Sequence, residues 1–144
     1  MAGFATVMAQ DSEKRSKEEI FREVQEFKIK FLAQEMDLKE DQQDRFVKLY
    51  GEMNRKRFAC MKEARSLKKK LKKNPDATEE DYQKVTDSMN KAKAEAASIE
   101  KEYDEKFAEF LSQKQIFKMK SAENEFRQKM EEMRHNKKGK GGKR

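Results

Sequence analysis

The side chains that most often carry out reactions are scarce in this chain and lie far apart. Its 144 residues include one cysteine, Cys60, and one histidine, His135. A cysteine nucleophile needs a base within hydrogen-bonding distance and a third group that orients the base, and no such group accompanies either residue. Cys60 also falls on an apolar stripe, where a thiol is buried and inert. The sequence therefore predicts a protein that is not an enzyme and has no catalytic residues.

Metal and cofactor sites are equally poorly supported. A zinc site needs four nitrogen or sulfur ligands, or three with a water, which one cysteine and one histidine do not supply. The nine methionines offer soft thioethers for Cu(I), but only Met130 and Met133 are closely spaced, and methionine is a common core filler. The C-terminal Gly-Lys-Gly-Gly follows no strand and opens no helix, so it is not a phosphate loop. We expect no metal and no cofactor.

The composition favours an all-α fold. Charged residues make up 44% of the chain and hydrophobic residues 35%, which suits helices that each bury one narrow stripe. There are only one proline, Pro75, and five glycines, and no sustained alternation of β-branched residues indicates strands. No apolar run approaches the roughly 18 residues of a membrane-spanning helix.

Four helices are predicted from the spacing of apolar residues. The first covers 16–36 and opens with Ser16 and Glu19 as a capping box. Its predicted buried stripe is Ile20, Val24, Phe27 and Phe31. The fourth begins at Ser112, and its stripe comprises Ile116, Met119, Ala122, Phe126, Met130 and Met133.

The second and third helices form a long central antiparallel hairpin. The second covers 38–73 and ends before Pro75, which disfavours helical geometry in the preceding residue. The third opens at Thr78, and a link as short as 74–77 folds the two helices back on each other. The second helix has the seam Phe46, Tyr50, Met53, Arg57, Cys60, Ala64, Leu67 and Leu71. The third has the seam Tyr82, Val85, Met89, Ala92, Ala96, Ile99, Tyr103, Phe107 and Phe110.

Charge is distributed unevenly along the chain, whose formal net charge is +7. The stretch 54–73 has ten basic residues and one acidic residue, Glu63, whereas 78–111 has ten acidic and five basic residues. We expect part of the basic stretch to pair across the hairpin with Glu79, Glu80 and Asp81. The final segment, 136–144, contains five basic residues and is predicted to be a disordered basic tail.

The first nine residues are apolar and end in Val7-Met8-Ala9 before Gln10. This pattern is typical of the second half of a secretory signal peptide. We therefore interpret 1–9 as the remnant of such a signal, 10–135 as a single helical domain, and the mature protein as exported. The alternative is an apolar N-terminal tail without a targeting role.

Two five-residue motifs mark the starts of the second and fourth helices. They are Leu111-Ser112-Gln113-Lys114-Gln115 and Leu38-Lys39-Glu40-Asp41-Gln42. In such a motif the hydroxyl caps the helix, the glutamine reaches back to the cap, and the leucine packs as a staple. Lys39 is not a capping residue, so Asp37 and Glu40 are expected to move the cap two residues earlier. The predicted structural residues are Leu38, Gln42, Leu111, Ser112 and Gln115.

These motifs resemble the Leu-Thr/Ser-x-x-Gln pattern of the Spy/CpxP family of periplasmic chaperones, over roughly 16–133. The resemblance implies an elongated, cradle-shaped antiparallel homodimer that binds unfolded or misfolded envelope proteins on its concave face without ATP. It equally allows a regulator of envelope or metal stress that has no chaperone activity. A thin helical chain with surplus aromatic residues is also commonly a two-fold dimer.

A basic surface with flexible apolar groups on the second helix is the predicted binding site for clients, because such groups re-pack around different partners. The alternative interpretation is that the charges form an ordinary solvated helix face and that Met61 belongs to the core. From another functional class, the 54–73 helix is a candidate for binding nucleic acid, although an exported protein is not expected to meet it. The predicted client-binding residues are Arg55, Lys56, Phe58, Met61, Lys62, Arg65 and Lys69.

Overall fold

A computed structural model of the chain describes residues 16–141, with side chains for 16–136. In this part of the chain the fold is all-α, as predicted, and there is no strand. None of the described helices is long and apolar enough to cross a membrane. The described helices are α1 (Lys17–Glu35), α2 (Glu40–Cys60), α3 (Lys62–Lys72), α4 (Glu79–Ala108) and α5 (Gln113–Gly141).

The contacts divide the chain into two compact units. Residues 38–116 form one unit, which we call the hairpin unit; it contains α2, α3 and α4. Of the described residues, 16–37 and 117–141 form the other, which we call the flanking unit; it contains α1 and most of α5.

In the hairpin unit, α4 runs antiparallel to α2 and α3 and packs against both. Increasing numbers in α2 meet decreasing numbers in α4, as the Arg45–Glu109 and Arg57–Glu100 ion pairs show. The α2 and α3 seam, from Phe46 to Leu71, is buried or half-buried throughout, as predicted. In α4 the prediction is wrong for Tyr82, which is 51% exposed, because it lies in the first turn, where the seam ends.

The predicted second helix is interrupted at Met61, which separates α2 from α3. The Met61 backbone N–H donates to the Phe58 carbonyl at 3.3 Å, a tighter turn than the α-helical bond to Arg57. The Arg57 carbonyl instead accepts the Cys60 thiol at 3.1 Å. The thiol therefore satisfies the backbone oxygen that the tighter turn leaves without its usual donor.

In the flanking unit, α1 and α5 pack antiparallel. Phe126 of α5 lies with its ring centroid 6.0 Å from those of Phe27 and Phe31, and Lys28 pairs with Glu123 at 3.9 Å. The α5 stripe is buried from Ile116 to Phe126, as predicted, but Met130 is half-buried and Met133 is 66% exposed.

The predicted stripe of the first helix is only partly buried. Val24 and Phe31 are half-buried, and the rings of Phe27 and Phe31 both contact α5. Ile20 and Phe27 are nevertheless 48% and 67% exposed, whereas Leu32, outside the stripe, is 0% exposed. The prediction is therefore wrong for Ile20 and Phe27, because apolar residues follow two helical faces of α1 and spacing alone does not decide how far each face is buried.

The segment between α1 and α2 also differs from expectation. Asp37 adopts a positive φ of 51°, a conformation that closes a helix, so it ends α1 rather than capping α2. Its carboxylate accepts a hydrogen bond from Lys118 at 3.1 Å. The N-cap of α2 is Lys39. The proposed shift of the cap to Asp37 and Glu40 is therefore wrong.

The two ends of the predicted domain map differently onto the structure. The helix α5 continues past residue 135 to Gly141, into the segment predicted to be a basic tail. The predicted signal remnant, 1–9, lies outside the described residues.

Candidate functional site

The start of α5 has the predicted capping box. The Ser112 hydroxyl accepts the Gln115 backbone N–H at 3.1 Å, and the Gln115 side-chain oxygen accepts the Ser112 backbone N–H at 3.0 Å. At the start of α2 only half of this arrangement exists: Gln42 Oε1 accepts the Lys39 backbone N–H at 2.9 Å. Lysine has no side-chain acceptor for the reciprocal bond.

The two motif glutamines bind each other directly, a contact that sequence reasoning missed. Gln42 Nε2 donates to Gln115 Oε1 at 3.1 Å, and Gln115 Nε2 donates to Gln42 Oε1 at 2.9 Å. Gln42 Nε2 also lies 3.0 Å from the Phe110 carbonyl. Each glutamine thus caps its own helix and holds the start of the other, so the two motifs form one structural joint.

Apolar and charged contacts surround this joint. Leu111 is 5% exposed and Leu38 is half-buried, as expected of staple residues. Arg45 pairs with Glu109 at 2.6 Å, and its guanidinium lies 4.5 Å from the Phe110 ring centroid. The motif residues therefore have a structural role at the open end of the hairpin.

Most of the predicted client-binding residues lie together on the solvent side of α2 and α3. Phe58 is 44% exposed and Met61 36% exposed, which are high values for large apolar side chains. The Arg65 guanidinium stacks 3.8 Å from the centroid of the Phe58 ring, which joins the two helices across the interruption at Met61. We call this surface the basic–apolar face; it comprises Arg55, Phe58, Met61, Lys62, Arg65 and Lys69, all exposed.

Lys56 differs from the other predicted residues. Its ammonium lies 5.0 Å from the centroid of the Tyr103 ring in the hairpin seam. A hydrogen bond to the Tyr103 side chain is the main cause that raises the pKa of Lys56 above its ordinary value, although the Lys56 side chain is exposed. Lys56 thus contacts the seam of the hairpin and is not part of the basic–apolar face.

The expected charge pairing across the hairpin is largely absent. Of the ten basic residues in 54–73, Arg57 forms an ion pair, with Glu100 at 2.7 Å. Within the part of the chain that the structure describes, the other nine make no ion pair, and none reaches Glu79, Glu80 or Asp81. The Asp81 carboxylate instead accepts the Thr78 backbone N–H at 3.0 Å. Nine of the ten basic side chains of the 54–73 stretch therefore have no acidic partner in the described part of the chain.

Arg57 is the centre of a polar cluster inside the seam. Its guanidinium donates to Asn54 Oδ1 and to Glu100, and it lies 3.5 Å from the Tyr50 hydroxyl. Asn54 is only 8% exposed. The seam position of Arg57 was evident from the sequence, but its partners on the same helix and on α4 were not.

The thiol of Cys60 lies between two backbone carbonyls. Cys60 Sγ is 3.1 Å from the Arg57 carbonyl and 3.7 Å from the Ala92 carbonyl, and burial raises the pKa of the thiol. His135 is exposed on α5. Among the described residues, no three His, Cys, Asp or Glu side chains are grouped as a metal site.

No family model, no curated protein and no solved structure matches the chain. The resemblance to the Spy/CpxP family thus rests on the two motifs and stays a prediction.

Proposed function

We propose that this chain is an ATP-independent chaperone of the periplasm that holds unfolded or misfolded envelope proteins. The observation that carries the proposal is the basic–apolar face, where an exposed phenylalanine and an exposed methionine lie among cations. Phe58 and Met61 are 44% and 36% exposed, and Arg65 stacks on the phenyl ring.

The chemistry of this face suits clients without a fixed shape. Methionine adapts to different apolar surfaces, and long basic side chains cover apolar area with their stems while their charged ends stay in water. An unfolded segment exposes both apolar and acidic groups. Because binding of such segments is weak and reversible, clients dissociate without an input of energy from nucleotide.

The test is suppression of aggregation of a chemically denatured model protein, measured by light scattering without nucleotide. We expect the wild-type chain to suppress scattering at a few-fold molar excess, and the variant F58S/M61S to need a several-fold higher concentration. Tyr82→Ser is the matched control, because Tyr82 is 51% exposed but lies on α4. Failure of the wild-type chain to suppress aggregation would refute the proposal. Equal losses of suppression in F58S/M61S and Y82S would show that the basic–apolar face is not the client-binding surface.

Nucleic-acid binding by the 54–73 stretch is the second candidate, favoured by the nine basic residues that form no ion pair in the described chain. It predicts that a fluorescent oligonucleotide binds with an affinity that falls steeply as salt rises. Substituting Lys62, Lys69 and Lys70 by glutamine is then expected to reduce the salt slope. A chain that neither binds the oligonucleotide nor suppresses aggregation fits the third interpretation, a regulator of a stress sensor.

A further inference from the structure

The side of α3 that lies opposite its seam carries a continuous row of cations. The seam residues Ala64, Leu67 and Leu71 are buried or half-buried, because α3 packs against α4. An α-helix turns by about 100° per residue, so the residues on the opposite side recur three and four positions apart. We call them the cationic row; its members, all exposed, are Lys62, Arg65, Lys69, Lys72 and Lys73.

The charge of the cationic row is uncompensated. In the described part of the chain none of its members forms an ion pair. Glu63, the acidic residue of α3, lies roughly 130° around the helix from the middle of the row. From Lys62 to Lys73 the row extends over about 16 Å. Like charges at this spacing repel one another, and a surface of opposite charge that covers the row relieves the repulsion.

Two large apolar side chains continue the cationic row towards α2. Phe58 lies about one helical turn before Lys62 and Met61 directly before it, and they are 44% and 36% exposed. The Arg65 guanidinium covers one face of the Phe58 ring, 3.8 Å from its centroid. Cations and exposed apolar groups therefore lie next to one another along one side of the hairpin unit.

We infer that the cationic row docks the hairpin unit, side-on, on the surface of an anionic phospholipid bilayer. The basic side chains lie among the lipid phosphates, whose negative potential attracts them at short range. Phe58 and Met61 enter the boundary between head groups and acyl chains, as apolar side chains of surface-bound helices do. The lysine stems contribute further apolar contact while their ammonium groups stay in water.

A lipid surface fits the cationic row better than nucleic acid does. Lipid head groups diffuse laterally and gather beside every cation of the row, whereas the phosphates of nucleic acid are fixed along its backbone. Binding of single strands relies on aromatic rings that stack on bases, and Arg65 already covers one face of Phe58. The row also contains no asparagine or glutamine that reads base edges.

This inference does not rest on the proposed chaperone function. Lys72 and Lys73 belong to the cationic row but lie outside the basic–apolar face, so their substitution separates membrane binding from client binding. One basic side chain close to an anionic bilayer strengthens binding roughly fivefold. Removal of both charges should therefore weaken membrane binding roughly 25-fold and leave the suppression of aggregation nearly unchanged.

Co-sedimentation of the full chain with lipid vesicles tests the inference. We expect binding to mixed vesicles of phosphatidylglycerol and phosphatidylcholine that weakens as salt rises, and no binding to pure phosphatidylcholine. K72Q/K73Q should bind roughly 25-fold more weakly, whereas K72R/K73R should bind like the wild type, because it keeps both charges. K84Q/K91Q is the matched control and should bind nearly as well as the wild type, since its two exposed lysines lie on α4. Circular dichroism checks that the variants keep their helices.

Two outcomes would overturn the inference. The first is a wild-type chain that does not bind the anionic vesicles; an oligonucleotide that binds this chain, but not K72Q/K73Q, would then assign the row to nucleic acid. The second is an equal loss of vesicle binding in K72Q/K73Q and K84Q/K91Q, which would show that the bilayer responds to net charge and not to the cationic row.

Discussion

The hairpin unit has two halves that are stabilised very differently. The base, which we define as α2 with 97–108 of α4, buries large aromatic residues such as Phe46, Tyr50 and Phe107 to 0% exposure. The tip, which is α3 with 79–93 of α4, buries smaller residues, among them Ala64 and Ala92. The Arg57–Glu100 ion pair also lies in the base, and Arg45 of α2 pairs with Glu109 directly after α4. The base therefore fixes the geometry of the hairpin.

The tip differs from the base in its packing and in its surface charge. Its seam leucines, Leu67 and Leu71, are half-buried, and its lysines lie in the solvent without ion pairs in the described chain. The basic–apolar face lies where base and tip meet, around the interruption at Met61. A rigid base beside a thinly packed tip allows this face to adapt without loss of the fold.

The largest difference between the halves is expected from truncation of the seam. Phe107→Ala removes a fully buried ring that packs against Phe46, with centroids 5.7 Å apart, and should lower the free energy of unfolding by about 3–5 kcal/mol. Leu71→Ala in the half-buried tip should cost about 1 kcal/mol. Urea unfolding of both variants measures the difference. Equal losses would mean that base and tip contribute alike.

The polar cluster of the base gives the next largest effect. Arg57→Met keeps most of the aliphatic stem of the side chain but removes the guanidinium that donates to the buried Asn54 and to Glu100. We expect the free energy of unfolding to fall by about 1–3 kcal/mol. The double variant R57M/N54L should recover part of this loss, because it also removes the buried amide that accepted from the guanidinium. No recovery would show that Glu100 accounts for the cost.

The sequence predicted the hairpin well because its seam is unambiguous. From Phe46 to Leu71 the seam keeps one alternating spacing of four and three residues, and the link at 74–77 leaves only a reversal. The caps at Ser16, Thr78 and Ser112 were also predicted correctly, since each combines a hydroxyl with a matching side chain three residues later.

The sequence-based predictions failed at residues whose burial or hydrogen bonding the surrounding sequence alone does not decide. Ile20 and Phe27 belong to one of two apolar faces of α1, and how far each face is buried depends on the residues of α5 that it meets. The interruption at Met61 follows from a local exchange of hydrogen bonds. No proline or glycine near this position marks the interruption in the sequence. For the candidate site, exposure of Phe58 and Met61 was predicted, but the stacking of Arg65 and the separate position of Lys56 depend on the three-dimensional arrangement.

The third test concerns the contact between the two motif glutamines at the open end of the base. Gln42→Ala removes the acceptor of the Lys39 backbone N–H, the hydrogen bond to the Phe110 carbonyl and the amide pair with Gln115. The expected loss in the free energy of unfolding is about 1–2 kcal/mol. In the double variant Q42A/Q115A the loss should be smaller than the sum of the single losses, because the two side chains share their bonds. Strict additivity would contradict the direct contact.

The missing half of the first capping box offers a gain of stability. Lys39→Ser supplies a hydroxyl at the N-cap of α2, the position that Ser112 occupies in the second motif. We expect the free energy of unfolding to rise by about 0.5–1 kcal/mol. Lys39→Ala is the control, since it removes the same lysine without adding a hydroxyl. A serine variant no more stable than the alanine variant would show that Gln42 alone suffices at this helix start.

The smallest effect is expected at the tip, from the pH dependence of its capping box. Hydrogen bonds from the Thr78 backbone and side chain lower the pKa of Asp81 below its ordinary value of 3.8. Because the folded pKa is the lower one, this contribution to stability is present above the ordinary value and is lost as the pH falls through the folded value. Asp81→Asn keeps an oxygen that accepts the Thr78 N–H but does not titrate. The melting temperature of the wild-type chain should therefore fall faster with acid below about pH 4 than that of D81N. Parallel curves would mean that the Asp81 charge adds nothing to the cap, and that the tip is held by its short apolar seam alone.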